Sequence, residues 1–204
     1  MSDDSAILLA SDIGSKTALE VCEGQQYDID FETRDDVIPE YLKMIGYKTA
    51  VLVAAAMKMG AIVAKASEED QNKIYEFGKN LGIAFQIQDD YLDAFGDPKT
   101  FGKQVGGDII ENKKTYLYLK ALELSKFNKC KKLSQLFNTS PEDNTEKIKT
   151  VKKIFQESGS AKATKQAIEY YTNLAFIVLD SLSISEEKKS ILRTFGEKLM
   201  NRKV

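Results

Sequence analysis

Apolar positions in this chain recur at three- and four-residue spacing over long stretches, and strand-like alternation is hard to find. That pattern predicts amphipathic helices throughout. Residues 5–31 read as one helix, weakened around Gly14 and again at Gly24. Asp35 or Asp36 is placed to cap a helix entered through Pro39, which runs through "EYLKMIGYKTA" into "VLVAAAMKMGAIVAKA". The second part is small and apolar on nearly every side, so it reads as a buried helix packed closely by its neighbours. Ser67 is the N-cap expected for "EEDQNKIYEFGKNLGIAFQIQDDYLDAF", with Glu68, Glu69 and Asp70 at the positive end of the helix dipole. Gly96, Asp97 and Pro98 stop that helix, and 97–112 reads as a loop rich in glycine, lysine and aspartate. Further helices are expected at about 113–126, 128–137, 142–157, 160–182 and 185–200, with Pro141 in a first turn. With no linker, low-complexity tract or repeat, the pattern predicts one all-α domain over 1–204.

Composition narrows the function. The 204 residues hold 29 basic and 31 acidic side chains, a balance with no nucleic-acid footprint. No apolar run approaches the roughly 20 residues of a membrane span, and "MSDDSAILLASD" lacks the basic start of a signal peptide. Cys22 and Cys130 are far apart and match no metal spacing, so the expectation is a cytoplasmic protein with reduced thiols. The chain has no histidine, which removes histidine triads, histidine proton shuttles and most zinc sites. Chemistry here must rest on carboxylates, lysines, amides and a bound ion.

One helix carries a pattern suited to that chemistry. At about 100° per residue, Gln86, Asp89, Asp90 and Asp93 fall within an arc of roughly 100°. Ala84, Tyr91 and Phe95 occupy the opposite arc, flanked by Phe85 and Leu92. Such a helix fits between a core and a polar cavity. Three converging carboxylates repel one another in a dry site unless a cation joins them, and oxygen-only ligands suit Mg²⁺. Because Mg²⁺ commonly adds waters and substrate phosphates to one or two carboxylates, the pattern predicts a phosphate-bearing substrate. The loop supports this: Lys103 lies among Gly102, Gly106 and Gly107, and Asn112, Lys113 and Lys114 follow. Glycines let backbone amides approach an anion and lysines bring charge to phosphate.

These residues resemble a known family. "FQIQDDYLD" followed by "FGKQVGGDIIENKKTYL" is similar to the second aspartate-rich region of the trans-isoprenyl diphosphate synthases, which include the farnesyl, geranylgeranyl and longer-chain synthases. "EVCEGQQYDIDFE" resembles the family's GQxxD element and "YLKMIGYKTAVL" its KT element, in the same order. The resemblance implies an isoprenoid-synthase helical bundle. It also implies that Asp89, Asp90 and Asp93 bind Mg²⁺ opposite an allylic diphosphate, with Gln86 and Phe85 beside them along the allylic pocket. Lys48 takes the position of the lysine on the diphosphate and Thr49 that of the threonine near the reacting carbons. Lys103 and Lys113 match further diphosphate lysines. Gln25 and Asp28 match the GQxxD pair, whose aspartate supports the metal through water.

The implied reaction is head-to-tail condensation of isopentenyl diphosphate with an allylic diphosphate, in which no side chain need act as the base. Family members are commonly homodimers, so a homodimer or association with another synthase-like chain is expected. The sequence also departs from the pattern. No DDxxD followed by an arginine pair occurs, and only 23 residues precede Gly24. The chain is therefore expected to begin within the bundle, to lack half of the metal site, and to be inactive or weak alone. Two other readings are a non-catalytic synthase-like partner that dimerises with a complete synthase and an ionisation-only terpene cyclase. Retention of Lys48, Thr49, Gln86 and the three aspartates speaks against the first, and the KT pair and lysine loop against the second.

Overall fold

The structure is a computed structural model that describes residues 3–31, 37–97 and 105–201. Every regular element among them is helical, in agreement with the expected all-α class. The elements in chain order are α1 (Asp3–Phe31), α2 (Ile38–Ile45), a π-helical turn (Gly46–Ala50), α3 (Val51–Val63), α4 (Glu68–Phe95), α5 (Gly107–Ile110), α6 (Tyr116–Leu124), α7 (Phe127–Leu136), α8 (Thr145–Ser158), α9 (Ser160–Asp180) and α10 (Glu186–Met200).

Two compact units emerge. The first comprises Met1–Asp28, Leu42–Gln86 and Glu169–Asn201, and the second Ile29–Tyr41, Ile87–Ile168 and Arg202–Val204. In the first unit, Ile74, Phe77 and Leu81 of α4 bury against Ala175, Leu179 and Leu182, with Met57, Ala61 and Leu192 packed around them. Small residues make this packing close. A Cβ added at Gly82 would lie 2.6 Å from the Cα of Ala50. In the second unit α8 packs against α5, α6 and α7, and Val151, Ile154 and Phe155 form its buried stripe.

Several expectations hold and others shift. The Ser67 hydroxyl accepts from the Asp70 amide at 3.1 Å, so the N-cap of α4 is where the sequence puts it. α1 runs unbroken through Gly14 and Gly24. Burial outweighs local propensity at Gly24, whose missing Cβ would otherwise stand 2.3 Å from the Lys48 amide nitrogen. Residues 107–110 form a helical turn inside the segment read as loop. Pro141 does not enter a helix, since α8 begins at Thr145, whose amide donates to the Asp143 carboxylate at 2.9 Å. The capping expectation for Asp35 or Asp36 and the Pro98 stop lie outside the described residues.

Ile38–Val63 is continuous helix of 26 residues, long and apolar enough by composition to cross a membrane, a length no single apolar run in the sequence suggested. It carries Lys43, Lys48 and Lys58, while Tyr41, Met44, Ile45, Ala50, Val51, Ala54, Ala55 and Ile62 are buried within the protein. Leu52 and Val63 of the same helix are exposed, so it is buried along one side and not on nearly every side as its composition suggests.

Candidate functional site

Lys48 and Thr49 lie in the π-helical turn, where the wider i→i+5 pairing bulges the backbone. Gly24 allows α1 to touch this turn, and the contact brings Asp28 into reach. Lys48 Nζ meets Asp28 Oδ2 at 2.5 Å, with both side chains half-buried. Thr49 donates its hydroxyl to Gln86 Oε1 at 2.9 Å. The KT pair therefore finds the GQxxD aspartate and the FQ amide, both within the first unit. Phe85 is half-buried, and Gln25 is exposed.

The carboxylates of the second unit are arranged differently. Asp90 is 8% exposed and accepts a hydrogen bond from the Tyr41 hydroxyl at 2.5 Å. The Tyr41 ring is itself buried and meets Tyr116 edge-on, centroids 5.9 Å apart at 63°. Burial, then the Asp90 charge and its hydrogen bond, push the Tyr41 phenol well above its ordinary range. Asp93, one turn on, accepts from the Asp108 amide at 3.0 Å. Gly106 makes this possible, because its φ of +88° turns the chain so that its amide reaches the Asp93 carbonyl at 2.7 Å.

Asp108 stands close enough to matter electrostatically. Burial first, and then the Asp108 charge, push the Asp93 carboxyl up to about 6, although the Asp108 and Gly107 amides pull it down. Asp108 is raised as well, chiefly by burial, with contributions from Glu111 and Asp89 against the lowering effect of Lys113. Lys113 bridges Asp108 at 3.2 Å and Glu111 at 2.7 Å. Lys103 lies outside the described residues.

A divalent cation can be tested against this donor set. Asp89, Asp90, Asp93 and Asp108 offer only oxygen, and burial, followed by the Asp108 charge, raises the Asp93 carboxyl. Both properties fit a hard ion in kind. Among the described residues, however, no three such side chains are grouped closely enough to form a cage. Asp90 turns to Tyr41 and Asp93 to the α5 backbone, which leaves coordination positions for waters and phosphate oxygens.

Sequence reasoning did not anticipate Tyr41, Asp108 or the π-helical turn. Tyr41 reads as one more apolar position beside Met44 and Ile45, and its hydroxyl leaves no mark on the periodicity. Asp108 lies in the 97–112 segment that reads as rich in aspartate, but nothing local ties it to Asp93.

The profile of the polyprenyl synthetase family matches residues 5–157. The chain belongs to the polyprenyl synthetase family. It is 37% identical to the geranylgeranyl diphosphate synthase of Methanosarcina mazei over 195 residues, 95% of this chain and 55% of that protein. It is 42% identical to the short chain isoprenyl diphosphate synthase of Methanocaldococcus jannaschii over 141 residues, 68% of this chain and 43% of that protein. The chain thus spans about half the length of these curated relatives. A crystal structure of geranylgeranyl pyrophosphate synthase superposes with a TM-score of 0.91 at 54% identity, over 100% of this chain and 63% of that one. The synthase of Corynebacterium glutamicum, solved with isoprenyl diphosphate and magnesium, superposes with a TM-score of 0.88 at 27% identity, over 97% of this chain and 56% of that one. The polyprenyl synthetase bundle of these structures is the fold of this chain.

Proposed function

We propose that this polyprenyl synthetase chain serves a prenyltransferase of isoprenoid biosynthesis, which joins isopentenyl diphosphate to an allylic diphosphate with Mg²⁺. The observation that supports the reading is Asp93 set against α5, where the Asp108 amide donates to it at 3.0 Å and burial, then the Asp108 charge, raises its carboxyl to about 6. Asp89, Asp90 and Asp93 hold the cation, and Asp28 acts through water. When bound, Mg²⁺ supplies charge neutralisation to the diphosphate leaving group. Lys48 and Lys113 each bring positive charge to a diphosphate once it displaces their carboxylate partners, and Lys103 does so from the loop.

The Thr49–Gln86 hydrogen bond fixes both polar groups, so that Gln86 and Phe85 line an allylic pocket with its dipole orientation set. Gln25, exposed at the end of the GQxxD element, orders water near Asp28. The proton lost on condensation goes to the departing pyrophosphate, in keeping with a chain that has no histidine. We place the protein in the cytoplasm. A homodimer, or a dimer with another synthase-like chain, has apolar surface available on α1, where Ile7, Leu8 and Leu19 are exposed.

The test combines the purified chain with Mg²⁺, isopentenyl diphosphate and an allylic diphosphate, alone and with a fragment supplying a second carboxylate cluster. Extraction of a longer prenyl diphosphate is the expected result, and Asp89→Ala abolishes it. Turnover that survives Asp89→Ala, or none in either mixture, refutes the assignment.

A further inference from the structure

The three motif aspartates are not equivalent. Asp90 is the buried one, and a buried carboxylate must find donors or lose its charge. Its donor, Tyr41, lies 49 residues away on α2 and is 1% exposed. The 2.5 Å separation is that of a charge-assisted hydrogen bond. Tyr116 packs edge-on against the Tyr41 ring, so the phenol cannot swing away without opening the core. The carboxylate is therefore held from a second helix rather than by its own rotamer preference alone. Groups that orient a metal ligand from behind commonly do so through such hydrogen bonds.

We propose that Tyr41 is a positioning residue for the divalent cation, fixing the Asp90 carboxylate within the acidic face of α4. The proposal rests on the cation reading given above. A purely structural tyrosine, buried for its ring and satisfied by the nearest acceptor, is the competing account. The two differ in what Tyr41→Phe does, since phenylalanine keeps the ring and removes only the donor.

Binding of Mn²⁺, counted as free ion by electron paramagnetic resonance in the presence of inorganic pyrophosphate, separates them. Tyr41→Phe is expected to weaken Mn²⁺ binding about tenfold while the helical circular dichroism is retained. In an Asp90→Asn background the same substitution is expected to have no further effect, because Tyr41 acts through Asp90. Unchanged affinity in Tyr41→Phe, or an equal loss with and without Asp90, overturns the proposal. Asp89→Asn serves as the control on the cation reading: binding equal to the parent's would overturn that reading instead.

A second measurement covers a variant that does not fold. In the parent protein the Tyr41 hydroxyl proton is expected as a downfield, slowly exchanging resonance that moves on saturation with Mg²⁺. A resonance that stays in place at saturating Mg²⁺, or that is absent, overturns the positioning role whatever Mn²⁺ binding shows.

Discussion

The polar pairs described in the first unit join unlike groups, whereas in the second unit carboxylates also act on one another. Lys48 meets Asp28 and Thr49 meets Gln86, so each charge or dipole has an opposite. In the second unit Asp93, Asp108 and Asp89 influence one another through like charge, with Lys113 the cation acting on both Asp93 and Asp108. One region pairs unlike groups, and the other sets like charges beside one another.

The largest expected effect breaks the region of unlike pairs. In Gly24→Val the added carbons meet the backbone of Lys48 and Tyr47 at distances no real contact adopts, 2.3 to 2.7 Å for the Cβ alone. α1 must then move off the π-helical turn, separating Asp28 from Lys48. The cost is about 3–5 kcal/mol of unfolding free energy, in the range of severe overpacking, measured by urea denaturation. Neighbouring Glu23→Ala, on an exposed side chain, is the control and should change stability by less than about 0.5 kcal/mol.

A smaller loss is expected from the support of the acidic region. Lys147 is 4% exposed, and its ammonium donates to Asn112 Oδ1 at 2.6 Å and to the Thr139 carbonyl at 2.8 Å. Asn112 has a φ of +59°, a left-handed position just after α5 that this contact steadies. Lys147→Met keeps the stem and removes the ammonium donor from Asn112 Oδ1 and the Thr139 carbonyl, costing about 2–3 kcal/mol. The same variant should broaden or shift the amide resonance of Asp108, because α5 loses an anchor. An unshifted Asp108 amide would mean that the anchor serves α8 alone.

How much of this was legible beforehand depends on what kind of signal each feature leaves. The long helices were readable because Ile74, Phe77 and Leu81 repeat at helical spacing, and the α4 start because Ser67 and its acidic followers form a cap. The carboxylate face was readable because Gln86, Asp89, Asp90 and Asp93 share one helix. Partners from distant sequence were not. Nothing near Tyr41 signals an acceptor at Asp90, and nothing near Asp93 signals Asp108 across the Gly106 turn. The KT and GQxxD elements were recognised as matching strings, and only their packing through Gly24 shows that Lys48 and Asp28 form a pair. Short helices also escaped, since a single turn such as Gly107–Ile110 has too few residues for a period.

Burial of Asp93, and after it the Asp108 charge, predicts a pH effect of order 1 kcal/mol once solvent screening is allowed for. An acid whose folded-state pKa is raised stabilises the fold while protonated. The contribution of Asp93 is therefore complete below about pH 4, near its ordinary value, and is lost as the pH rises through about 6. Carboxyl-detected magnetic resonance should give Asp93 a midpoint near 6. Asp108→Asn removes the second cause and lowers that midpoint, though burial, the first cause, keeps it above the ordinary carboxylate range. A midpoint near 4 in the parent would show that neither burial nor Asp108 burdens the Asp93 carboxylate, erasing the contrast between the two regions. Added Mg²⁺ should lower the midpoint in the parent more than in Asp89→Asn.

The smallest effect on stability sharpens the contrast most. Lys113 bridges Asp108 and Glu111 with its side chain 47% exposed, and exposed pairs of this kind contribute little. Lys113→Gln should therefore change unfolding free energy by less than about 1 kcal/mol. Its electrostatic effect points elsewhere: Lys113 is the cation that lowers both Asp93 and Asp108, so its removal raises the Asp93 midpoint above 6. In the proposed reaction the same change weakens diphosphate binding, visible as a higher KM for the allylic diphosphate with stability intact. Loss of stability without either shift would make Lys113 a structural bridge rather than a counter-charge to Asp93 and Asp108.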